Sequence, residues 1–480
     1  MWSFEDSCKS GGSGQTRFAK SAVQASARRD GQNNATAYTK AEGTDFLSAD
    51  RKVSEESQSL AVEEAAAATA AFPGEREERL PQVVRALRNP NFRLFWSGNF
   101  LSNIGTWMQN VAQGWLVLTL TNSAFWLGVV GFAGSIPFLI FTLFGGVVAD
   151  RVNKRKLLIV TQSVMMVLAF AMAALSYFKI ITVWEVVVLA FLNGMAMAMN
   201  APSYQALVPR LVPREDLTNA IALNSAQFNM SRILGPTLGG YAMALVGVAG
   251  NFFLNGISFL AVLWALTRIK YPEQQPSHYP GLLNSLRQGF TYLHGKKQML
   301  VLVWMTAVAS FLGIPFITFI PYFVRVQLHS GETGLGWLLA ASGLGAVLGA
   351  VTVAARGTLR HRGTVVTIGG LVFFSAIISF CYSRSFVLSQ CLLLAEGYSA
   401  ILMISSFNVA IQHLSSDEMR GRVMSIYATS FLGLPPLGAL LAGEMSRHIP
   451  TGHVLALMAG TAGILFMGTY AFSRPLRELD

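Results

Sequence analysis

From Asn91 onward the chain is a succession of apolar runs separated by short turns. A helix of about 20 such residues spans the roughly 30 Å hydrocarbon core of a bilayer. Twelve runs can be marked, at roughly 92–119, 123–149, 156–178, 182–206, 217–245, 250–268, 298–324, 333–355, 363–382, 386–411, 419–443 and 452–473. They are too long for barrel strands and lack a two-residue alternation, so they read as helices. Only 13% of the residues are Asp, Glu, Lys or Arg, against about 25% in soluble domains. So few charges cannot clothe a water-soluble globule of this length, and lipid is the solvent they imply.

The remaining sequence sorts itself around these runs. Residues 1–84 are rich in Ser, Ala, Gly and Gln and poor in aliphatic runs. They are expected to form a disordered cytoplasmic tail, with a marginal helix at 61–72. No signal peptide is expected, because no apolar stretch with a small-residue cleavage site follows a charged start. The one long interruption, 269–297, divides the runs six and six. The expected organisation is therefore tail, a six-helix bundle at 85–268, a cytoplasmic linker at 269–297, and a second bundle at 298–480. Three cysteines and seven histidines without metal-ligand spacing imply neither a disulfide framework nor a metal site. No Walker loop, nucleophile elbow or cofactor motif is present, so no cofactor and no enzymatic activity are expected.

The net charge is +11, and its distribution reads as topology. With the N-terminus inside, the cytoplasmic turns from Arg85 onward hold 21 Lys/Arg, and the opposite side holds four: Lys179, Arg325, Arg384 and Arg447. That asymmetry places both termini in the cytoplasm. The charge suits anionic lipid headgroups, and no nucleic-acid-binding pattern accompanies it. A weak repeat supports the six-plus-six division. Val212-Pro-Arg-Glu-Asp-Leu-Thr-Asn219 precedes span 5, and Leu414-Ser-Ser-Asp-Glu-Met-Arg-Gly421 precedes span 11. Each places an acidic pair at the mouth of a Gly/Pro-rich helix, as repeated bundles around a central site would.

The turn between spans 2 and 3 reads Gly145-Gly-Val-Val-Ala-Asp-Arg-Val-Asn-Lys-Arg-Lys156. It resembles the signature of the major facilitator superfamily, matching at Gly146, Asp150, Arg151, Lys154 and Arg155, with Asn153 in place of a glycine. The resemblance implies twelve transmembrane helices in two pseudo-symmetric six-helix bundles, an all-α membrane protein. It also implies that these five residues latch the halves in one state. The stretches 91–100, 200–213 and 216–240 look like the branch holding enterobactin exporters and macrolide efflux proteins. Gly235, Pro236, Gly239 and Gly240 resemble the antiporter signature of span 5, and a proline there frees a carbonyl and bends the span. Departures are also present. Span 1 carries no acidic residue, and Ala190 stands where drug antiporters place an arginine in span 4.

Polar residues within the spans are the candidate site. Span 1 carries Asn103, Trp107 and Asn110 on one stripe, with Gln113 near it. Span 4 carries Asn193, Met197 and Asn200, and span 5 carries Asn224, Gln227 and Ser231. Buried amides in lipid need a partner or a wet cavity, and three stripes in one half exceed what interhelical pairing requires. Span 10 places Glu396 midway along a stripe with Ser399 and Met403. A carboxyl at that depth is suited to carry a proton, and Arg232 in span 5 is suited to hold a carboxylate or an anionic substrate. Gly343-Leu-Gly345-Ala-Val-Leu-Gly349 reads as a packing seam rather than a nucleotide loop.

Together these imply a monomeric, proton-coupled exporter of a small amphipathic compound such as a siderophore or drug, in a bacterial inner membrane. Two rivals remain at this stage. One is a lysophospholipid or lipid flippase on the same fold. The other is a non-transporting membrane sensor or scaffold.

Overall fold

A computed structural model describes residues 82–151, 153–269, 291–356 and 362–473. The expected tail up to residue 81, its helix at 61–72 and most of the linker lie outside the described residues. Every apolar run falls on a helix. These are α1 (Pro90–Thr121), α2 (Ala124–Arg151), α3 (Lys154–Tyr177), α4 (Val183–Leu207), α5 and α6, α7 (Lys297–Gln327), α8 (Glu332–Arg356), α9 (Arg362–Tyr382), α10 (Phe386–Leu414), α11 (Asp417–Met445) and α12 (Thr451–Phe472). The helices α5 and α6 are the two limbs, 217–246 and 248–268, of one helical stretch, Leu217–Arg268. It breaks at Gly247, whose φ of 73° is open to glycine at little cost. Among the described residues, nine helical stretches are long and apolar enough to cross a bilayer, Arg214–Arg268, which holds α5 and α6, among them. The amide-rich α1 is not one of the nine.

Local chemistry sets the ends. Pro90 opens α1 with its φ already helical, and Asn122 closes it at φ 49°, a conformation Asn tolerates. The side chain of Asn153 caps α3, accepting from the backbone N–H of Arg155 at 3.0 Å and of Lys156 at 3.2 Å. Asn153 has φ −57°, so the position needs a cap rather than glycine's freedom. Ser385 caps α10 through the Leu388 N–H. The helix α7 is the irregular one. Two π-helical segments, Ala309–Gly313 and Phe323–Gln327, flank Phe316–Tyr322. Such widened turns often mark functional bends.

Within the first half, α1 packs on the α5–α6 pair, α2 on α4, and α3 on both α4 and the α5–α6 pair. Within the second, α8 and α9 pack on α10, α9 on α12, and α7 against α11 and α12. The halves meet at two seams, α2 with α11 and α5 with α8. These seams exchange under the half-to-half correspondence, α2 matching α8 and α5 matching α11.

The repeated motif clamps the chain as it enters each bundle. In the first half Arg85, on the short helix Gln82–Arg88, lies 2.8 Å from Asp216 and 3.2 Å from Glu215. The Ala86 N–H donates to Asn219 at 2.8 Å. In the second half the Tyr292 hydroxyl accepts from the Ser416 N–H at 3.2 Å, and Lys296 donates to the Leu414 carbonyl at 3.3 Å.

Candidate functional site

The seams between the halves are built on close backbone approach. On the α2–α11 seam a Cβ at Gly128 would stand 2.5 Å from the Ala439 carbonyl oxygen and 3.1 Å from the Gly443 Cα. On the α5–α8 seam a Cβ at Gly240 would stand 2.7 Å from the Glu332 carbonyl and 3.1 Å from the Gly336 Cα. Small residues let membrane helices touch along their backbones, where packing supplies most of the attraction. On each seam a glycine of one half thus meets a glycine of the other, Gly128 with Gly443 and Gly240 with Gly336.

All these contacts lie toward the end of the molecule where α1 joins α2. Other described ties between the halves lie toward that end too, Gly114 against Pro321, Gly131 against Thr318, the Tyr241–Trp337 ring contact and the Arg325–Thr119 hydrogen bond, while Gly343 against Arg232 and Ile233 carries the α5–α8 seam to mid-depth. The apolar core has the same asymmetry. One buried cluster runs from the outer parts of the six first-half helices through the whole second half. The opposite end of the first half, with Phe92, Phe95, Leu158, Met165 and Phe259, is a separate cluster. Among the described residues, then, the ties between the halves run from that end to mid-depth.

At mid-depth, where the α5–α8 seam meets α10, stands Glu396. It is 1% exposed and accepts a hydrogen bond from the Ser342 hydroxyl of α8 at 2.8 Å. Backbone contact forces this pairing, since a Cβ at Gly397 would sit 2.0 Å from the Ser342 carbonyl oxygen. Arg232 stands on the neighbouring α5, across the same seam. The two form no ion pair. Pro236 lacks an N–H, so the Arg232 carbonyl has no donor one turn on. That carbonyl faces Gly343 of α8, where a Cβ would stand 3.2 Å away. Gly345, in the same glycine run, packs against Leu394 of α10. The expected bend at Pro236 does not interrupt the helix, whose non-helical residue is Gly247.

The polar stripes of the first half separate into three groups. Asn200 is buried and its side-chain oxygen accepts from Thr161 at 3.1 Å and Gln162 at 3.3 Å, tying α4 to α3. Asn224 accepts from the Tyr204 hydroxyl, which in turn accepts from Asn99 at 3.1 Å. By contrast Asn103, Trp107, Gln113 and Asn193 are half-buried, and Asn110 and Met197 are exposed. Gln227 and Ser231 are fully buried without hydrogen-bond partners. Ser399 turns its hydroxyl back to the Ala395 carbonyl at 2.7 Å, and Met403 is buried beside Gly370. Gly235 is pressed against Ile104 and Trp107, and Gly239 against Met108, so both serve the α1–α5 contact.

In the loop motif, Gly146, Asp150 and Arg151 lie on the last turns of α2, their side chains outside the described residues. Lys154 and Arg155 open α3. The Arg155 guanidinium donates to the carbonyls of Leu266 at 2.6 Å and Thr267 at 2.7 Å, capping the end of α6. Three residues escaped the sequence reading. Ser342 sits in a glycine run and signals packing alone. Phe228, half exposed and edge-on to Trp107 at 6.0 Å, looks like any lipid-facing aromatic. Asn153 read as a departure from a motif rather than as a cap.

Residues 83–480 match the family model described as transmembrane secretion effector. Among curated proteins, the staphyloferrin A transporter of Staphylococcus aureus is 30% identical over 39% of this chain, a match that spans 49% of that protein, about half. The multidrug efflux pump Tap of Mycolicibacterium fortuitum is 26% identical over 77% of this chain and 92% of its own length. Among solved structures, the nucleoside transporter NupG aligns with a TM-score of 0.63 at 13% identity, over 80% of this chain and all of that one. That likeness is one of fold.

Proposed function

Because the chain belongs to the transmembrane secretion effector family of the major facilitator superfamily, whose members are multi-pass transporters and not enzymes, we propose that it exports a small amphipathic compound by alternating access in exchange for protons. Relatives named for a siderophore and for multiple drugs support a substrate of one of those kinds. The observation that carries the reading is that, among the described residues, the ties between the halves lie between one end and mid-depth. Two bundles held along paired seams from one end to mid-depth can part at that end and close at the other by rocking about their middle.

With the basic turns in the cytoplasm, both termini lie there, the closed end faces outward, and the substrate enters from the cytoplasm of a bacterial inner membrane. The division into tail to residue 84, bundle at 85–268, linker at 269–297 and bundle at 298–480 belongs to the same proposal. So does the latch role of Gly146, Asp150, Arg151, Lys154 and Arg155. The half-buried and exposed residues Asn103, Trp107, Asn110, Gln113, Asn193 and Met197 line the substrate path.

In this reading Glu396 carries the coupling proton. A buried carboxylate with a single hydroxyl donor is poorly compensated as an anion, and as a neutral acid it is tolerated in the low-dielectric middle while access switches sides. Its hydrogen-bond partner Ser342 belongs to α8 of the α5–α8 seam, so rocking of the halves changes its surroundings. The test is Glu396→Gln in inverted vesicles. Transport driven by a proton gradient should fall more than ten-fold, while exchange of labelled substrate across the membrane without a gradient persists. Gradient-driven transport at the wild-type rate rejects the assignment.

A further inference from the structure

The closed end carries two arginines that are costly by position. Arg325, on the second π-helical segment of α7, and Arg447, just past α11, are two of the four Lys/Arg on the basic-poor side of the molecule. Both belong to the second half, and both reach across to aromatic rings of the first. The Arg325 guanidinium lies 5.9 Å from the Trp115 ring centre, and its Nη1 donates to the Thr119 hydroxyl at 3.3 Å. The Arg447 guanidinium lies 5.0 Å from the Phe125 ring centre, held by Glu444 at 3.3 Å one turn away. Trp115 and Thr119 are on α1, and Phe125 is on α2. The Arg325–Thr119 bond joins side chains of the two halves directly.

We infer that these two contacts form a releasable clamp that holds the outward end shut. The inference rests on the alternating-access reading and adds to it the residues that set the balance between its states. The glycine seams contribute close packing, which any lipid or helix face can partly replace once they separate. A guanidinium over a ring is different. The attraction exists only while the halves touch, and on opening both the cation and the hydroxyl of Thr119 return to water, which satisfies them. The clamp therefore biases the closed state without making opening prohibitive. The π-helical segments support this. Arg325 sits in one, and the other, Ala309–Gly313, lies a turn before Phe316–Tyr322, the part of α7 that touches Gly114 and Gly131. A widened turn at 309–313 lets the end of α7 swing with Arg325 at its tip.

The test reads distance, not transport. Spin labels are placed at Ile180→Cys and Arg384→Cys, exposed turns of opposite halves at the closed end. The chain's own Cys8, Cys381 and Cys391 are replaced by Ala, and the protein is held in lipid nanodiscs without substrate. A short and a long distance are expected, with the short one dominant. R325Q with R447Q should raise the ratio of long to short about ten-fold, and each alone about three-fold. Trp115→Leu should act like R325Q, whereas Trp115→Phe and R325K, which keep a ring and a cation, should stay near wild type. Circular dichroism and a monodisperse elution profile establish that each variant is folded. Two distances whose ratio ignores all of these variants overturn the clamp alone. A single distance in every variant overturns the clamp and the alternating-access reading together.

Discussion

The two halves share a plan but not an interior. The first is tied by amides: Asn255 donates to Gln109 at 2.6 Å, Asn99 to Tyr204 at 3.1 Å, and Asn200 accepts from Thr161 and Gln162. The second is packed by phenylalanines. Phe374 meets Phe373 and Phe466 at 5.2 and 5.1 Å, and Phe380 meets Phe316 and Phe323 at 5.1 and 5.2 Å, all buried rings in tilted or edge-to-face pairs. In lipid, apolar side chains gain nothing by leaving solvent, so the ring core holds by shape and dispersion alone. The amide core holds by direction, each bond fixing the rotation of a helix. The difference teaches that the same six-helix plan can be secured in two ways. The half with Glu396 is the one with few polar partners to offer a charge.

The sharpest way to break the comparison is to empty the ring core. Phe466→Ala removes a fully buried ring of α12 that contacts Phe374 of α9 and Phe407 of α10. Thermal unfolding in mild detergent should show a loss of about 3–5 kcal/mol, and Phe466→Leu should recover most of it. If Phe466→Ala unfolds with the wild-type midpoint, the second half is not held by ring packing. Asn200→Ala in the first half should cost less, about 1–2 kcal/mol. Thr161 keeps its backbone bonds to Leu157 and Leu158, and only Gln162 loses a partner. An Asn200→Ala loss equal to that of Phe466→Ala would erase the contrast between the halves.

The span boundaries and the internal repeat were legible because they rest on local signals, apolar runs and turn chemistry. The Gly343–Gly349 seam was legible for the same reason: small residues at helical spacing have one common use. What joins the halves was not. Arg325 and Thr119 are 206 residues apart, and nothing near either names the other. Ser342 and Glu396 are 54 apart, and the serine becomes a partner only because Gly397 lets the two helices touch. The polar stripes were visible as stripes. Which amides would pair was not, because that depends on how each helix is rotated about its axis. Asn103 and Asn200 look alike in the sequence, yet one is half-buried and the other sits bonded between α3 and α4.

The repeated clamps extend the contrast to the surface and carry the smallest effect. The first-half clamp is ionic, Arg85 with Asp216 and Glu215, and the second is built from Tyr292, Ser416, Lys296 and a carbonyl. Arg85 is about half exposed, so water and salt screen its pairing, and Arg85→Gln should lower stability by less than about 1 kcal/mol. The distinguishing feature is salt. Raising ionic strength from about 0.01 to 1 M shortens the screening length from about 30 to 3 Å. The gap between wild type and Arg85→Gln should shrink across that range, while the gap between wild type and Tyr292→Phe stays constant. Unfolding midpoints of the three proteins measured in parallel at low and high salt decide the matter. If both gaps move together, the two clamps are alike in physics as well as in position.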